Sequence, residues 1–275
     1  MITITGLFYY PIKGCKGWRL DSANLIERGI AFDRHFMIVN PDGRFLTQRE
    51  HPRMALIEPT IANGTLTLSA PNMETLLITH TDEGDVESVV VWEDTCEAVS
   101  QGQEAAEWLS SFLGVDAHLV TMHRNFHRTV DQTYAVRPTD HTGFADGFHM
   151  LLASEASLES VNSRLIESGN EPVPMNRFRP NIVVAGCDAF AEDTWKHFNV
   201  RNSAGDVEMY GVKLCGRCIV TTVDQASGTK TGAEPIATLK KFRRSADGAK
   251  VLFGQNVIHR NTGTIAVGDT IELLG

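Results

Sequence analysis

Leu56-Ile-Glu-Pro-Thr-Ile61, Ala62-Asn-Gly64 and Thr65-Leu-Thr-Leu-Ser-Ala70 form two β-prone runs around an Asn-Gly turn. Asn and Gly tolerate the left-handed backbone that a tight hairpin turn requires, so the stretch is predicted as a β-hairpin. Upstream, Arg34-His-Phe-Met-Ile-Val39, Asn40-Pro-Asp-Gly43 and Arg44-Phe-Leu-Thr-Gln48 repeat the device, with Pro-Asp-Gly supplying the fixed φ and the left-handed position. Ile2 to Tyr10 is β-prone, and Val89-Val-Val-Trp92 and Cys96-Glu-Ala-Val99 add two short strands. The period then changes. Ala105, Trp108, Leu109 and Phe112 fall on one helical face within Gly102–Leu113, and Gly114 follows as a C-terminal stop. Val115 to Met122 returns to strand. A second helix is predicted after Ser154 as N-cap, with Leu158, Val161 and Leu165 on one side and Gly169 at its end. From Asn181 onward strands dominate, finishing with Thr264–Leu274 around a Val267-Gly-Asp turn. The expected fold class is a β-rich α+β protein with a few helices packed on sheets or a barrel, divided into residues 1–122 and 123–275.

The chain has 275 residues, 42% hydrophobic and 21% charged, enough to bury a substantial core. Its formal net charge of −9 argues against nucleic acid as a partner, because a phosphate backbone demands a basic footprint. No run approaches the roughly 18 apolar residues that span a bilayer. The opening residues lack the pattern of a signal peptide, so a cytoplasmic, non-membrane protein is expected. Neither G-x-G-x-x-G nor a P-loop occurs, and strands and helices do not alternate regularly, which argues against nicotinamide dehydrogenase and P-loop chemistry. The five cysteines are an odd number spread thinly, so free thiols are expected rather than a disulfide scaffold.

Cys215-Gly-Arg-Cys218 is the sharpest local feature, and taken alone it has several readings. As a zinc half-site it needs a second pair of ligands, for which His123 and His127 have compatible spacing. As a redox dithiol it would open a helix, whereas Ile-Val-Thr-Thr-Val after Cys218 reads as strand. Two small hydrophobes at a strand edge is the plainest reading. A soft thiolate is also a good ligand for a heavier transition metal, and cations that could hold an anionic cofactor lie elsewhere in the chain. Asn176-Arg-Phe-Arg-Pro-Asn181 is predicted to be extended, placing Arg177 and Arg179 on one side. Their planar guanidinium groups suit phosphate. Lys13 and Lys16 sit in a predicted turn, Arg34 in another irregular stretch, and Arg217 inside the cysteine pair. Asp146 in Gly143-Phe-Ala-Asp-Gly-Phe148 is a lone carboxylate in a small-residue loop, which turn chemistry alone explains.

Eight segments in order carry a resemblance: Tyr10-Pro-Ile-Lys-Gly-Cys-Lys-Gly17, Ala31-Phe-Asp-Arg-His-Phe-Met-Ile-Val39, Phe45-Leu-Thr-Gln-Arg-Glu50, Ser154-Glu-Ala-Ser-Leu158, Asn176-Arg-Phe-Arg-Pro-Asn181, Gly186-Cys-Asp-Ala-Phe-Ala-Glu-Asp193, Cys215-Gly-Arg-Cys218 and Gly263-Thr-Ile-Ala-Val-Gly-Asp269. Together they resemble the MOSC family, in the branch that includes the mitochondrial amidoxime-reducing component and bacterial YcbX-type proteins. The resemblance implies a β-rich N-terminal domain, a MOSC β-barrel, and a molybdenum cofactor (molybdopterin) between them. It implies that Cys218 is the metal ligand and a catalytic residue together with Asp146, beside the metal's exchangeable oxygen. It implies that Lys13, Arg34, Arg179, Asn181 and Arg217 hold the pterin and its phosphate. The implied activity is reduction of N-hydroxylated or N-oxide compounds, including detoxification of N-hydroxylated bases, and pyridoxal phosphate binding is a further property it suggests. Gly14 and Gly216 replace side chains common in relatives, leaving backbone N–H groups there. YcbX-type proteins continue into a [2Fe–2S] ferredoxin-like module through four cysteines absent here. Either electrons come from a separate ferredoxin- or cytochrome-type donor and its reductase, or the sequence is a fragment of a longer chain. A carrier or sulfur-transfer role for the cofactor is the alternative.

Overall fold

The computed structural model describes residues 1–274. Seven strands close a barrel in the order Ile182–Ala185, Met150–Ser154, Val251–His259, Val207–Arg217, His197–Arg201, Thr270–Leu273 and Ile2–Tyr9, the last pairing back onto Ile182–Ala185. Every neighbouring pair is antiparallel except Met150–Ser154 with Ile182–Ala185. Parallel neighbours need a crossover, and the helix Glu155–Glu167 supplies it. The helix begins where the sequence indicates, with the Ser154 hydroxyl accepting the Ser157 N–H at 3.0 Å. Alternate residues of the strands, among them Ile4, Leu7, Ile182, Phe198, Met209 and Val257, fill the interior and are fully buried.

A second layer lies on the N-terminal side of the cleft described below. Phe36–Val39, His118–Met122, Asp94–Ser100 and Val86–Val91 form a four-stranded antiparallel sheet in that order. The helix Gln103–Leu113 packs on it through Leu109 and Phe112, against Ile12, Phe36, Ile38 and Met54. The Asn63-Gly64 turn forms as expected: Glu58–Ala62 pairs with Thr65–Ser69, and φ is +49° and +76° at the two turn residues. Gly114, at φ +72°, closes the helix as the sequence indicates.

Two expectations are corrected, and the pairing of the two closing strands is now defined. After the Asn40–Gly43 turn the chain holds Leu46 N–H to Ile38 O at 2.8 Å but is not a regular strand. Val39 and Phe45 form an antiparallel bridge across the turn, Arg44 also bridges to Val90, and Phe45–Arg49 then turns into the cleft. Gly263–Ala266 and Thr270–Leu273 are strands but not partners, since the first pairs with Ser22–Ile26 and the second closes the barrel. The helix Ile236–Phe242 lies within a region read as strands. Buried Ile236 and Leu239 meet Val161, Leu165 and Phe253 there, so packing overrides a weak local signal. No helix is long and apolar enough to cross a membrane among the described residues.

Two buried histidines and a half-buried one give the fold a pH dependence. Burial and the neighbouring His259 push His149 down to about 3. Burial, Arg28 and His80 push His35 down to about 4. His259, 4.7 Å from His149 between ring centroids, is lowered too, chiefly by burial. These rings are neutral in the native state, whereas the unfolded chain takes up protons below a pKa of about 6.5. Their stabilisation is therefore fully present above about pH 6.5 and is lost as pH falls from there toward about 4 for His35 and about 3 for His149. Urea unfolding of wild type is expected to show this decline, and His149→Leu to flatten it. An equally steep decline in His149→Leu would exclude His149 as a source.

Candidate cofactor cleft

Lys13 is aimed by the chain just after the first barrel strand. Pro11 interrupts the strand, Ile12 is buried and bridges to Phe36, and Lys13 N–H donates to Phe36 O at 2.9 Å. Lys13 therefore projects opposite to Ile12, where its Nζ donates to Asp146 Oδ1 at 2.5 Å and to Phe144 O at 2.9 Å. Lys16 goes elsewhere: it pairs with Glu58 and lies over the Trp18 ring, outside the cleft.

Arg34 and Arg179 flank Tyr10, each guanidinium carbon 4.2 Å from its ring centroid. Arg34 Nη1 donates to Asp33 at 2.5 Å and to Asn181 Oδ1 at 2.9 Å, and its Nη2 donates to Arg179 O at 3.2 Å. Asn181 is also committed to the backbone: its oxygen accepts Leu151 N–H at 3.1 Å, and its Nδ2 donates to Phe8 O at 3.1 Å. It lines the cleft and orients Arg34.

The expected extended run with Arg177 and Arg179 on one side does not occur. Met175–Arg177 is a 3-10 turn and Arg179 takes φ +55°, so the two side chains part. Arg177 is buried behind the cleft, reaching Asp224 at 3.1 Å, Thr231 Oγ1 at 3.1 Å and Thr221 O at 3.4 Å. Arg179 lines the cleft and donates to Gln225 at 3.2 Å.

Cys218 follows the long strand Val207–Arg217 with an extended backbone and an exposed side chain. Ile219–Thr222, expected as strand, is a 3-10 turn. The Thr221 and Thr222 hydroxyls donate to Cys218 O at 3.1 Å and Ile219 O at 2.7 Å, and these local bonds compete with sheet pairing. Cys215 is half-buried and its sulfur accepts from Arg217 Nη1 at 3.0 Å. Arg217 Nη2 donates to Phe178 O at 2.6 Å. Among the described residues, no three His, Cys, Asp or Glu side chains gather as a metal site, so His123 and His127 do not complete a zinc site with the cysteines.

Lys13, Arg34, Asp146, Arg179, Asn181, Arg217 and Cys218 thus come together in one cleft holding about 970 Å³ of empty space, counting its open mouth. The N-terminal segments contribute Lys13, Arg34, Phe45–Arg49 and Trp92, and the barrel side contributes the rest. Thr47, Gln48, Arg49 and Trp92 were not singled out as site residues. The segment Phe45–Glu50 carried part of the family resemblance, which is the signal that pointed to Thr47, Gln48 and Arg49, whereas no motif pointed to Trp92. Arg49 lies 4.6 Å from the Trp92 ring centroid. Arg34, Trp92 and Arg179 all have φ between +45° and +58°. L-residues avoid this region by roughly 1–2 kcal/mol, so backbone strain is concentrated at the cleft.

The charge balance is one-sided. Five cations line the cleft (Lys13, Arg34, Arg49, Arg179, Arg217) against one carboxylate, Asp146. Arg179 Nη2 and Arg217 Nε are buried without a hydrogen-bond partner among the described residues. Burial, partly offset by Tyr10, lowers the Arg179 guanidinium to about 10. An unpaired buried donor is destabilising until something accepts from it, so this arrangement suits an anion. Asp146 is exposed on its outer side, and the Lys13 ammonium and the Trp92 indole N–H at 3.1 Å hold its carboxyl well below its usual range. A positive φ and the Met54 side chain fit Gly14 as glycine: an added Cβ would meet Met54 Cε at 2.9 Å.

Comparison with known proteins adds lineage to this geometry. The family pattern described as MOSC N-terminal beta barrel domain matches residues 1–116, and the MOSC domain matches residues 139–272. The chain is 37% identical to human "Mitochondrial amidoxime-reducing component 1" across 99% of its own length and 83% of that protein's. It belongs to the MOSC family. Among other MOSC relatives, zebrafish "Mitochondrial amidoxime-reducing component 1" is 31% identical over 98% of this chain and 83% of that protein. Bovine "Mitochondrial amidoxime reducing component 2" is 33% identical over 98% and 82%. The MOSC resemblance stated from the eight segments therefore holds, as does the β-rich barrel fold.

Proposed function

We propose that this MOSC protein is a molybdenum cofactor-dependent reductase of small N-hydroxylated compounds, receiving electrons from a separate donor protein. One observation carries the reading: an exposed thiol, Cys218, shares a cleft with a surplus of cations, two of whose buried nitrogens have no partner. A thiolate for a soft metal and unpaired guanidinium donors for a phosphate are what an anionic metal–pterin cofactor requires. The relatives' printed names, amidoxime-reducing component, supply the substrate chemistry.

When bound, the cofactor supplies the redox couple that takes electrons to the substrate. Cys218 would hold the metal. Arg179, Arg217 and Arg34 would hold the phosphate and pterin, with Asn181 fixing Arg34. Arg177 holds Thr221 O and so supports the turn that carries Cys218. Asp146 remains ionised at neutral pH and orients substrate as a hydrogen-bond acceptor at the cleft's mouth. Five free cysteines fit a reducing compartment, in keeping with a cytoplasmic location.

Protein made in a cofactor-competent host is expected to carry stoichiometric molybdenum and pterin and to reduce a benzamidoxime or an N-hydroxylated purine with a chemical electron donor. Metal-replete protein inert to every N-hydroxylated compound would sink the proposal. Cofactor that exchanges reversibly without turnover would favour the carrier reading instead.

A further inference from the structure

Lys240-Lys-Phe-Arg-Arg244 ends the helix Ile236–Phe242 and runs into a tight hairpin that leads to the barrel strand Val251–His259. The hairpin is pinned at its base, where Leu252 N–H donates to Arg243 O at 2.7 Å and Ser245 N–H donates to Lys250 O at 2.9 Å. Five of the chain's 25 lysines and arginines lie in residues 240–250 against one carboxylate, Asp247, although the formal net charge of the chain is −9. Asp247 turns back onto its own hairpin, accepting Ala249 N–H at 3.0 Å, and Arg243 pairs with Asp193 at 2.5 Å. Lys240, Lys241, Arg244 and Lys250 are exposed, and none of the four forms an ion pair among the described residues. Lys240 and Lys241 suit the C-terminal end of a helix dipole. Arg244 and Lys250 lie beyond the helix, so that explanation does not reach them.

This basic patch adjoins Cys218 from outside the cleft. Leu252 and Val251 are the cross-strand partners of Gly216 and Arg217. A Cβ added at Gly216 would meet Lys250 Cδ at 3.0 Å, so the lysine stem crosses the strand just before Cys218. The turn Ile219–Thr222 that follows Cys218 lies beside the helix, and Ile219 is 49% exposed. None of the four unpaired cations lines the cleft, so they are not placed to hold cofactor or substrate. An exposed apolar side chain flanked by charge of one sign is the make-up of a transient protein interface.

We infer that this face docks the acidic surface of the electron-donor protein. The inference rests on the reductase reading above. Each turnover breaks the N–O bond of the substrate, forms an N–H bond and releases the oxygen as water, taking two electrons from the donor and two protons from solvent. The donor must therefore come close to Cys218 while leaving the cleft to the substrate, and the patch beside Gly216 and Ile219 meets both conditions. A surface of net negative charge repels an acidic donor elsewhere, so a local basic patch both attracts and orients it.

The test follows reduction of a benzamidoxime by cofactor-loaded protein with three electron sources. These are a reduced [2Fe–2S] ferredoxin, a reduced acidic haem cytochrome, and dithionite-reduced methyl viologen, which needs no docking. The variants are Lys240→Glu with Arg244→Glu, and Lys250→Met, which keeps the stem over Gly216 and drops its charge. Arg19→Glu with Lys196→Glu, at exposed cations outside the patch, controls for net charge. Molybdenum, pterin and urea stability are measured for each. Wild type is expected to accept electrons from at least one of the two proteins, faster at low ionic strength. Lys240→Glu with Arg244→Glu is expected to lose about 30-fold or more in rate at limiting donor, together with most of the salt dependence. Lys250→Met is expected to lose about threefold, and the viologen rate of both to stay within about twofold of wild type. Unchanged protein-donor rates in these variants, or equal losses in the control, overturn the inference. So does a wild type that viologen drives but neither protein donor does. Binding to phosphatidylserine vesicles that the double variant loses, with its donor rates unchanged, overturns it in favour of a lipid surface. A wild type inert even with viologen overturns the reductase reading itself, whereas the other adverse outcomes overturn only the docking face.

Discussion

Cys218→Ala is expected to remove turnover of N-hydroxylated compounds by at least about a thousandfold, equivalent to some 4 kcal/mol of transition-state stabilisation, while leaving the fold intact. The thiol is exposed and its side chain caps nothing, so its loss leaves no cavity and no unpaired group. Unfolding stability should stay within about 0.5 kcal/mol of wild type, as for other surface substitutions. Cys215→Ala is the contrast. That sulfur accepts from Arg217 Nη1 at 3.0 Å, so its loss frees one guanidinium nitrogen and should lower turnover less than tenfold. Molybdenum content, pterin content and turnover of the two variants decide the matter. If Cys215→Ala is the inactive one, or if Cys218→Ala turns over normally, the ligand has been assigned to the wrong sulfur.

Phe178→Ala is expected to have the largest effect on stability, about 3–5 kcal/mol, as for other buried aromatic truncations. Phe178 is fully buried and stacks on Phe253 with ring centroids 3.9 Å apart. Its neighbours, including Val161, Leu165 and Leu239, belong to a core shared by two helices and two barrel strands, which limits how far the site can collapse. The change should reach the cleft as well, because Phe178 O accepts from Arg217 Nη2 at 2.6 Å and its ring lies under the same guanidinium. Urea unfolding measures the first effect and cofactor content the second. Phe178→Leu should recover most of the stability. A loss below about 1.5 kcal/mol in Phe178→Ala would show that the core relaxes around the gap.

Local signals were legible in the sequence. Asn63-Gly64, Ser154 and Gly114 each satisfy a backbone requirement by their own chemistry, so their turn, cap and stop can be read without knowing what lies around them. Arg177 and Arg179 show the opposite case. Their positions follow from a 3-10 turn and a left-handed residue, and no periodicity rule reports a backbone forced into that region by packing. The Ile219–Thr222 turn was obscured in the same way: β-branched residues favour strands, but here two threonine hydroxyls bond their own backbone. Of the cleft, the ordered motifs gave Lys13, Arg34, Arg179 and Cys218 and ran through Arg49, whereas Trp92 reaches it only because a hairpin folds over the barrel. Barrel closure was hidden as well, because the partners of Ile2–Tyr9 lie some 180 and 270 residues downstream.

That closure has a consequence for handling the protein in pieces. The MOSC pattern is recognised within residues 139–272, yet the barrel it describes lacks one stave until Ile2–Tyr9 is laid between Ile182–Ala185 and Thr270–Leu273. A fragment starting at residue 123 would present two raw strand edges where the intact protein has none, and unpaired edges recruit other chains. During synthesis the first strand emerges from the ribosome long before either neighbour exists, so it must wait for nearly the whole polypeptide before the ring can shut. Ile2 and Ile271 are direct cross-strand partners, so the ring is sealed by segments almost 270 residues apart in the chain.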